Sequence, residues 1–515
     1  MSKPFSAIPR LPVSSLSSPK KEKKNKSKKS TSRPIPNDPY TPFYKVHQLL
    51  KSNIFAIDLP NNAMIYVSDY DEIKKILINK DNIYGKGPTT IIPFQSIVPL
   101  HLISLPNNYQ HQTMRTAVLN SISIKNLNDN IMPIVVKHAR IFIKQIKNDS
   151  PQLLEIIISD IDKRCRAFAL DVMSEALFGK TWNAQLDYTK ENNINAYSLS
   201  EIMYILHYRI LDPNDVGWKS NRYDKGDVIQ MLENEINKEI VQHKEIMNNN
   251  NNNNNNSNKK LFQDDILFHL LTYKNMDDGK ALSTIEIQNC CMTLLTMGHE
   301  NIATALSWTI VLLAENKDKQ KVCKQETIEN TNNSNNNIYK ASYMMDENSF
   351  SKLTACFNEA IRMYPSVPAV TRQIISDQDT TICGYEMRKG DEIVLNIHGM
   401  HRLNDKMNIH GKKTDVNEFC PFLRFNDQNP VLDQVTLPFS FGKRSCIGRN
   451  LSYLEMKVLL SLLLKEFEYI ESISPTVVQP VVLVSLRPST HALKFVWKES
   501  KNHHDICTNN NKSRL

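Results

Sequence analysis

From Gln288 to Ala314 the chain carries one charged residue, Glu300, and one histidine beside it, His299. The surrounding segment 285–315 has apolar residues at three- and four-residue spacings, the period of a helix. A helix this long and this apolar is buried over most of its circumference. The fold must therefore be large enough to enclose it. The segment is no membrane span, because no run of 18 or more uncharged apolar residues occurs anywhere in the chain.

Other helical periodicities cover 133–147, 154–178, 226–246, 263–274 and 449–466. After Pro365 short β-prone segments take over: Thr371–Ile375, Thr380–Tyr385, Glu392–Leu395, Val481–Leu486 and Ala492–Trp497. The expected fold class is mostly α with a minor β lobe. One domain over residues 39–500 accounts for all these elements. Two Asn-rich stretches, 248–260 and 330–337, cannot bury apolar surface and are read as surface insertions. Residues 1–38 and 501–515 are read as a basic disordered tail and a flexible C-terminal tail.

Charge excludes one class of function. The net charge is +9, but +8 of it lies within the first 40 residues, so the body is nearly neutral. A folded basic face for nucleic acid is not expected. The lysine run 20–29 leaves peripheral contact with an anionic membrane as a possibility. Nine cysteines, an odd number with no Cys-x-x-Cys, point to a reducing compartment and against a disulfide framework. The localisation expected is cytoplasmic, soluble or peripherally membrane-associated, with no transmembrane anchor.

Only 13 glycines are present, so two of them flanking a cysteine are informative. Residues 438–450 read Pro-Phe-Ser-Phe-Gly-Lys-Arg-Ser-Cys-Ile-Gly-Arg-Asn. Gly442 and Gly448 permit positive φ or a close backbone approach to a flat ligand. Cys446 precedes the helix 449–466, whose positive end favours a thiolate. Arg444 can pair with an anion. In isolation each feature is ordinary; their conjunction is not.

This segment resembles the haem loop of the cytochrome P450 superfamily, Phe-x-x-Gly-x-Arg-x-Cys-x-Gly, at Phe439, Gly442, Arg444, Cys446 and Gly448. The resemblance implies the cytochrome P450 fold and a haem b whose iron takes its axial thiolate from Cys446. It extends to Glu359 and Arg362, which match the family's Glu-x-x-Arg, and to Arg372, which resembles the arginine that binds a haem propionate. Arg115 matches the arginine of the family's Trp-x-x-x-Arg, while His111 replaces the tryptophan and retains a donor. Arg424 lies in a weaker match to the family's Pro-Glu-Arg-Phe stretch.

The departures lie on the long helix. The family's Ala/Gly-Gly-x-Asp/Glu-Thr-Thr becomes Met297-Gly298-His299-Glu300-Asn301-Ile302. Glu300 keeps the acid, for which proton delivery is expected. Asn301 replaces the threonine and can hold a water but cannot relay a proton as a hydroxyl does. The resemblance implies a haem-thiolate monooxygenase that takes O2, a small apolar organic substrate and electrons from a separate NADPH-cytochrome P450 reductase-like donor. The alternative is an oxidative-coupling enzyme that inserts no oxygen, because Gly298–Asn301 looks like the run in fungal relatives that couple tyrosine derivatives. A haem-binding protein without turnover is the third reading.

Overall fold

The computed structural model describes residues 3–11, 40–58, 63–78, 82–95, 97–148, 154–187, 193–211, 226–252, 264–333, 340–344, 346, 348–403, 415–425, 436–474 and 477–497. Six strands form the main sheet: β1 (Arg10–Leu11), β2 (Ile54–Asp58), β3 (Ala63–Val67), β4 (Tyr84–Gly85), β5 (Val370–Ile374) and β6 (Glu392–Leu395). Their spatial order is β1-β2-β3-β6-β5-β4. Two further strands, β7 (Pro480–Val482) and β8 (Leu486–Pro488), make a separate hairpin. The helices that build the site are α1 (Pro88–Gln95), α2 (Tyr109–Ser121), α3 (Ile161–Phe178), α4 (Thr284–Glu315), α5 (Ser351–Met363), α6 (Ile397–Leu403) and α7 (Arg449–Glu466).

Helix α4 is the axis of the molecule. At ~1.5 Å per residue its 32 residues span roughly 48 Å. It starts on a capping box: Ser283 Oγ accepts from the Glu286 amide at 3.3 Å, and the Glu286 carboxylate accepts from the Ser283 amide at 2.9 Å. Its interior hydroxyls are satisfied locally, with Thr293, Thr296, Ser307 and Thr309 each donating to a carbonyl one turn back. Helix α3 lies alongside and is nearly all buried. Gly298 permits that approach, because a Cβ there would stand 2.5 Å from Met173 Cε. Asp160 caps the start of α3, and Gly179, left-handed at φ 68°, ends it.

Several expectations require correction. The periodicity at 154–178 hides a strand: Glu155–Ile158 pairs with Leu493–Val496, because a run of β-branched residues buries alternate side chains on a sheet. Val481–Leu486 is the centre of the β7–β8 hairpin, so its middle is a turn. Asn248–Asn252 continues the helix Gly226–Asn252, and Asn330–Asn333 ends the helix Lys317–Asn333. Extending a formed helix costs much less than nucleating one, which lets asparagine ride on its end. Residues 253–260 and 334–337 lie outside the described residues, as do 12–38 and 501–515.

The N-terminal reading also changes. Residues 3–11 pack onto the sheet: Arg10 and Leu11 pair in parallel with Ala56 and Ile57, and Ile8 is 1% exposed. Phe5 takes Arg388 over its ring at 3.7 Å, and Arg10 pairs with Asp58. A few apolar residues in a basic, Pro-containing stretch suffice to add a strand to an open sheet edge. No helix among the described residues is long and apolar enough to cross a membrane.

Candidate active site

The loop before α7 is built around Cys446. Its amide donates to Phe439 O at 2.8 Å and closes the turn. Gly442 is left-handed at φ 71°, and a Cβ there would come within 2.5 Å of Leu77 O. Both its conformation and its packing demand glycine. Gly448, at φ −85°, caps α7, and an added Cβ would stand 3.9 Å from Cys446 Sγ. Positive φ therefore applies at Gly442 and not at Gly448. Phe439 packs on Tyr453 of α7, ring centroids 5.4 Å apart.

Cys446 is exposed, whereas Cys165, Cys290, Cys291, Cys323, Cys356 and Cys420 are buried. Desolvation raises its thiol pKa, opposed by the Gly448 amide, the Arg115 guanidinium and the Arg449 amide. The helix start thus helps the thiolate without winning outright. A bound cation would complete the balance, since a metal-coordinated thiol is deprotonated outright.

The loop is buttressed from below. Arg362 on α5 holds Glu359 through two bonds, Nε to Oε2 at 2.7 Å and Nη2 to Oε1 at 3.0 Å. Arg424 joins the same carboxylate and also reaches Glu418 O and Asp415 O, both at 2.8 Å. All three side chains are fully buried. Arg362 further donates to His401 O on α6 at 3.2 Å. His401 Nε2 then accepts the Leu437 amide at 3.0 Å, at the start of the cysteine loop. Burial and the adjacent Arg362 lower the His401 pKa to about 3, which keeps that nitrogen an acceptor.

On α4, every residue from Asn289 to Ala314 is buried except Met297, Gly298 and Asn301. Partial exposure in the middle of a buried helix marks an internal opening. Met297 borders the same core as Phe439 and Ile447 of the cysteine loop. Ser366 Oγ donates to Asn301 O at 2.8 Å. His299 is buried, with Nδ1 2.5 Å from Leu295 O, and burial lowers its pKa to about 4. That matches a satisfied core histidine.

Glu300 is fully buried and fully engaged. Arg487 donates to Oε1 through Nε at 3.1 Å and to Oε2 through Nη2 at 3.0 Å. Arg166 of α3 and the Ser485 hydroxyl also bond the carboxylate. Thr304 Oγ1 and Ser485 Oγ are 2.7 Å apart, and Asp162 pairs with Arg166 Nε at 2.8 Å. Burial pushes the Glu300 pKa up, but Arg166 and Arg487 outweigh it and hold the value at about 2. Both carboxylate oxygens are thus committed to α3 and to the β7–β8 hairpin. Sequence reading gave Glu300 but neither arginine, since Arg166 and Arg487 lie 134 and 187 residues away.

Among the predicted cations, Arg115 donates to Ser445 O at 2.8 Å, beside the cysteine. His111, one turn earlier on α2, is buried, and its amide bonds the capping Asn108. Arg444 bonds Leu102 O at 3.0 Å, Leu105 O at 2.6 Å and Asn107 Oδ1. Arg372 is buried on β5 and donates to Thr371 O at 2.8 Å. An accessible cysteine with two amides turned on it, an opening in a buried helix, the buried Arg372 and the half-buried Arg115 and Arg444 fit a carboxylate-bearing group held by the cysteine. The resemblance of the cysteine loop implies that this group is haem. Fold and loop are those of a haem-thiolate protein.

The comparisons agree. The family model for Cytochrome P450 matches residues 35–495, and the chain belongs to the cytochrome P450 family. It is 28% identical to Cytochrome P450 4X1 of Mus musculus over 64% of this chain and 62% of that protein. It is 24% identical to Cytochrome P450 4A10 of Rattus norvegicus over 79% of this chain and 76% of that protein. The match to mouse Cytochrome P450 4X1 therefore spans less than two thirds of that relative. In structure it resembles a cytochrome P450DA mutant heme domain, with a TM-score of 0.74 over 90% of this chain and 93% of that one, at 17% identity.

Proposed function

We propose that the protein is a haem-thiolate monooxygenase acting on a small apolar organic molecule, with electrons from a separate reductase. The observation that carries the reading is the accessible Met297–Gly298–Asn301 stripe on α4 together with accessible Cys446. Cys446 would ligate the iron, Phe439, Gly442 and Gly448 would shape its loop, and Arg372, Arg444, Arg115 and His111 would face the propionates. When bound, the haem would supply O2 activation, favoured by electron donation from the thiolate. The protein's own share is positioning. Met297 presents an apolar wall to the substrate. Asn301 holds a water through its amide, and Ser366 fixes the backbone carbonyl at that point. Glu300 anchors the hairpin whose turn carries Val484, partly buried against the core. A relative named Taurochenodeoxycholic 6 alpha-hydroxylase from Sus scrofa, 30% identical over 42% of this chain and 41% of that protein, is in keeping with hydroxylation.

Replacement of the usual threonine by Asn301 favours a second reading, oxidative coupling without oxygen insertion. Incubation with 18O-labelled O2 separates the two: label in the product supports monooxygenation, and turnover without label overturns it. The ligation itself is read from the reduced carbon monoxide complex, expected to show the red-shifted Soret band of thiolate ligation. Cys446→Ala should abolish that band, and its persistence would overturn the assignment.

A further inference from the structure

Two cysteines 33 residues apart meet where the helix Lys317–Asn333 passes α5. Cys323 Sγ and Cys356 Sγ are 3.4 Å apart, and both side chains are buried. No other two cysteines among the described residues make such a contact. Each lies one turn before a carboxylate that holds α5 in place. Three residues after Cys323, Glu326 accepts from the Lys352 amide at 2.8 Å, the Leu353 amide at 3.0 Å and the Ser351 hydroxyl at 3.3 Å. It supplies the cap that α5 lacks, because Phe350 before it is left-handed at φ 55° and makes no side-chain cap. Three residues after Cys356, Glu359 binds Arg362 and Arg424. The helix Lys317–Asn333 is itself fixed to the body. Gln320 donates to Leu313 O at 2.9 Å and to Ile470 O at 2.8 Å, and accepts from the Ile470 amide at 2.9 Å.

We propose that Cys323 and Cys356 are a redox switch, two thiols at rest that hydrogen peroxide converts to a disulfide. The bond fastens α5, and with it the Glu359–Arg362 support of the cysteine loop, to the helix Lys317–Asn333. In a reducing compartment the pair rests as thiols. One sulfur attacks the peroxide, which gives a sulfenic acid and one water. The second thiol then displaces another water from that sulfur as the S–S bond forms. Two thiols are oxidised, one peroxide is reduced, and the products are one disulfide and two waters. The sulfurs must close by roughly 1.4 Å to reach a bond length of ~2.05 Å. Burial raises the Cys356 pKa, and Cys323, Glu326 and Glu359 add to the rise. Thiolate is therefore scarce, and the switch answers sustained peroxide, not a brief pulse.

The test exposes the holoprotein to hydrogen peroxide, blocks the remaining thiols with an alkylating reagent and digests without reductant. Mass spectrometry should find one cross-linked pair joining the Cys323 and Cys356 peptides, lighter than the two free peptides by two hydrogens and separated by dithiothreitol. Tm should rise by about 3 °C on oxidation, the chain-entropy effect of closing a loop of this length in a protein of this size, and return with dithiothreitol. Cys323→Ala and Cys356→Ala should each show no such difference between treated and reduced samples, whatever their own starting Tm. Met276, 97% exposed, marks the dose through its sulfoxide. Absence of the cross-link once Met276 is fully oxidised would overturn the proposal. So would a cross-link with no change in Tm, or an equal rise in an alanine variant. If neither variant folds, the wild-type cross-link and the reversal of its Tm shift by dithiothreitol decide.

Discussion

Glu300→Gln isolates the charge at the centre of the molecule. The side chain keeps its shape and loses its charge, leaving Arg166 and Arg487 facing a neutral amide. The wild-type carboxyl is held at about 2 against an ordinary 4.5. At ~1.36 kcal/mol per pKa unit that depression is worth about 3 kcal/mol. The sign follows from linkage. A folded-state pKa below the unfolded one gives stability fully present above pH 4.5, which is lost as pH falls toward 2. At neutral pH Glu300→Gln should therefore cost about 3 kcal/mol, within the range for breaking a buried ion pair. For a domain of this length, with an unfolding entropy of ~2 cal/mol/K per residue, that is roughly a 3 °C fall in Tm.

The assay is thermal unfolding of both holoproteins at pH 7, followed by far-UV circular dichroism, and urea unfolding repeated at pH 4 and pH 3. The stability gap should fall to about three quarters at pH 4 and about two fifths at pH 3. A double-mutant cycle sharpens the test. Arg487→Met should be strongly destabilising in the wild type and much less so in Glu300→Gln, because the two changes dismantle one cluster. A gap below about 1 kcal/mol at pH 7, or costs that simply add, would refute the clamp. An ionised carboxylate with both oxygens occupied is also a poor proton donor at neutral pH. The same variant should therefore weaken substrate binding more than it raises the solvent isotope effect on turnover.

Two further outcomes follow from the fold. Gly442→Ala puts a side chain on a left-handed residue against the Leu77 carbonyl; it should cost about 2 kcal/mol or more and lower the haem-to-protein ratio of purified material, and a normal ratio with unchanged Tm would contradict it. Deleting residues 1–11 exposes the pocket of Ile8 and the edge of β2; burial worth ~2 kcal/mol, offset by ordering entropy, leaves a net loss of about 1 kcal/mol. Hydrogen exchange should then accelerate across Ile54–Asp58, and unchanged protection there would show that the segment does not dock.

What could be read from the sequence divides along a physical line. The cysteine loop was legible because its chemistry is local: Phe439, Gly442, Arg444, Cys446 and Gly448 lie within ten residues, and Gly442 is where the structure needs glycine. The bounds of α7 and β6 were legible for the same reason, being set by neighbours in sequence. The strand at Glu155–Ile158 was not, because a β-branched run beside a helical period satisfies either pattern until a partner strand is known. Nor was the docking of Ile8, which depends on an open edge 46 residues further along.

The partners of Glu300 belong to this second kind, and they change how the motif is read. A sequence pattern shows that an acid occupies position 300, but its protonation and freedom are set by Arg166 and Arg487, which arrive from α3 and the β7–β8 hairpin. Two arginines in direct contact make the acid an anchor, and the hydroxyls near it, Ser485 and Thr304, come from outside the motif. Asn301 then leaves no hydroxyl of its own at the threonine position. On this chain the long helix carries the acid as a structural charge, with both oxygens occupied. Electrostatics at the acid thus depend less on the motif's own letters than on the two cations that meet it, Arg166 from α3 and Arg487 from the hairpin.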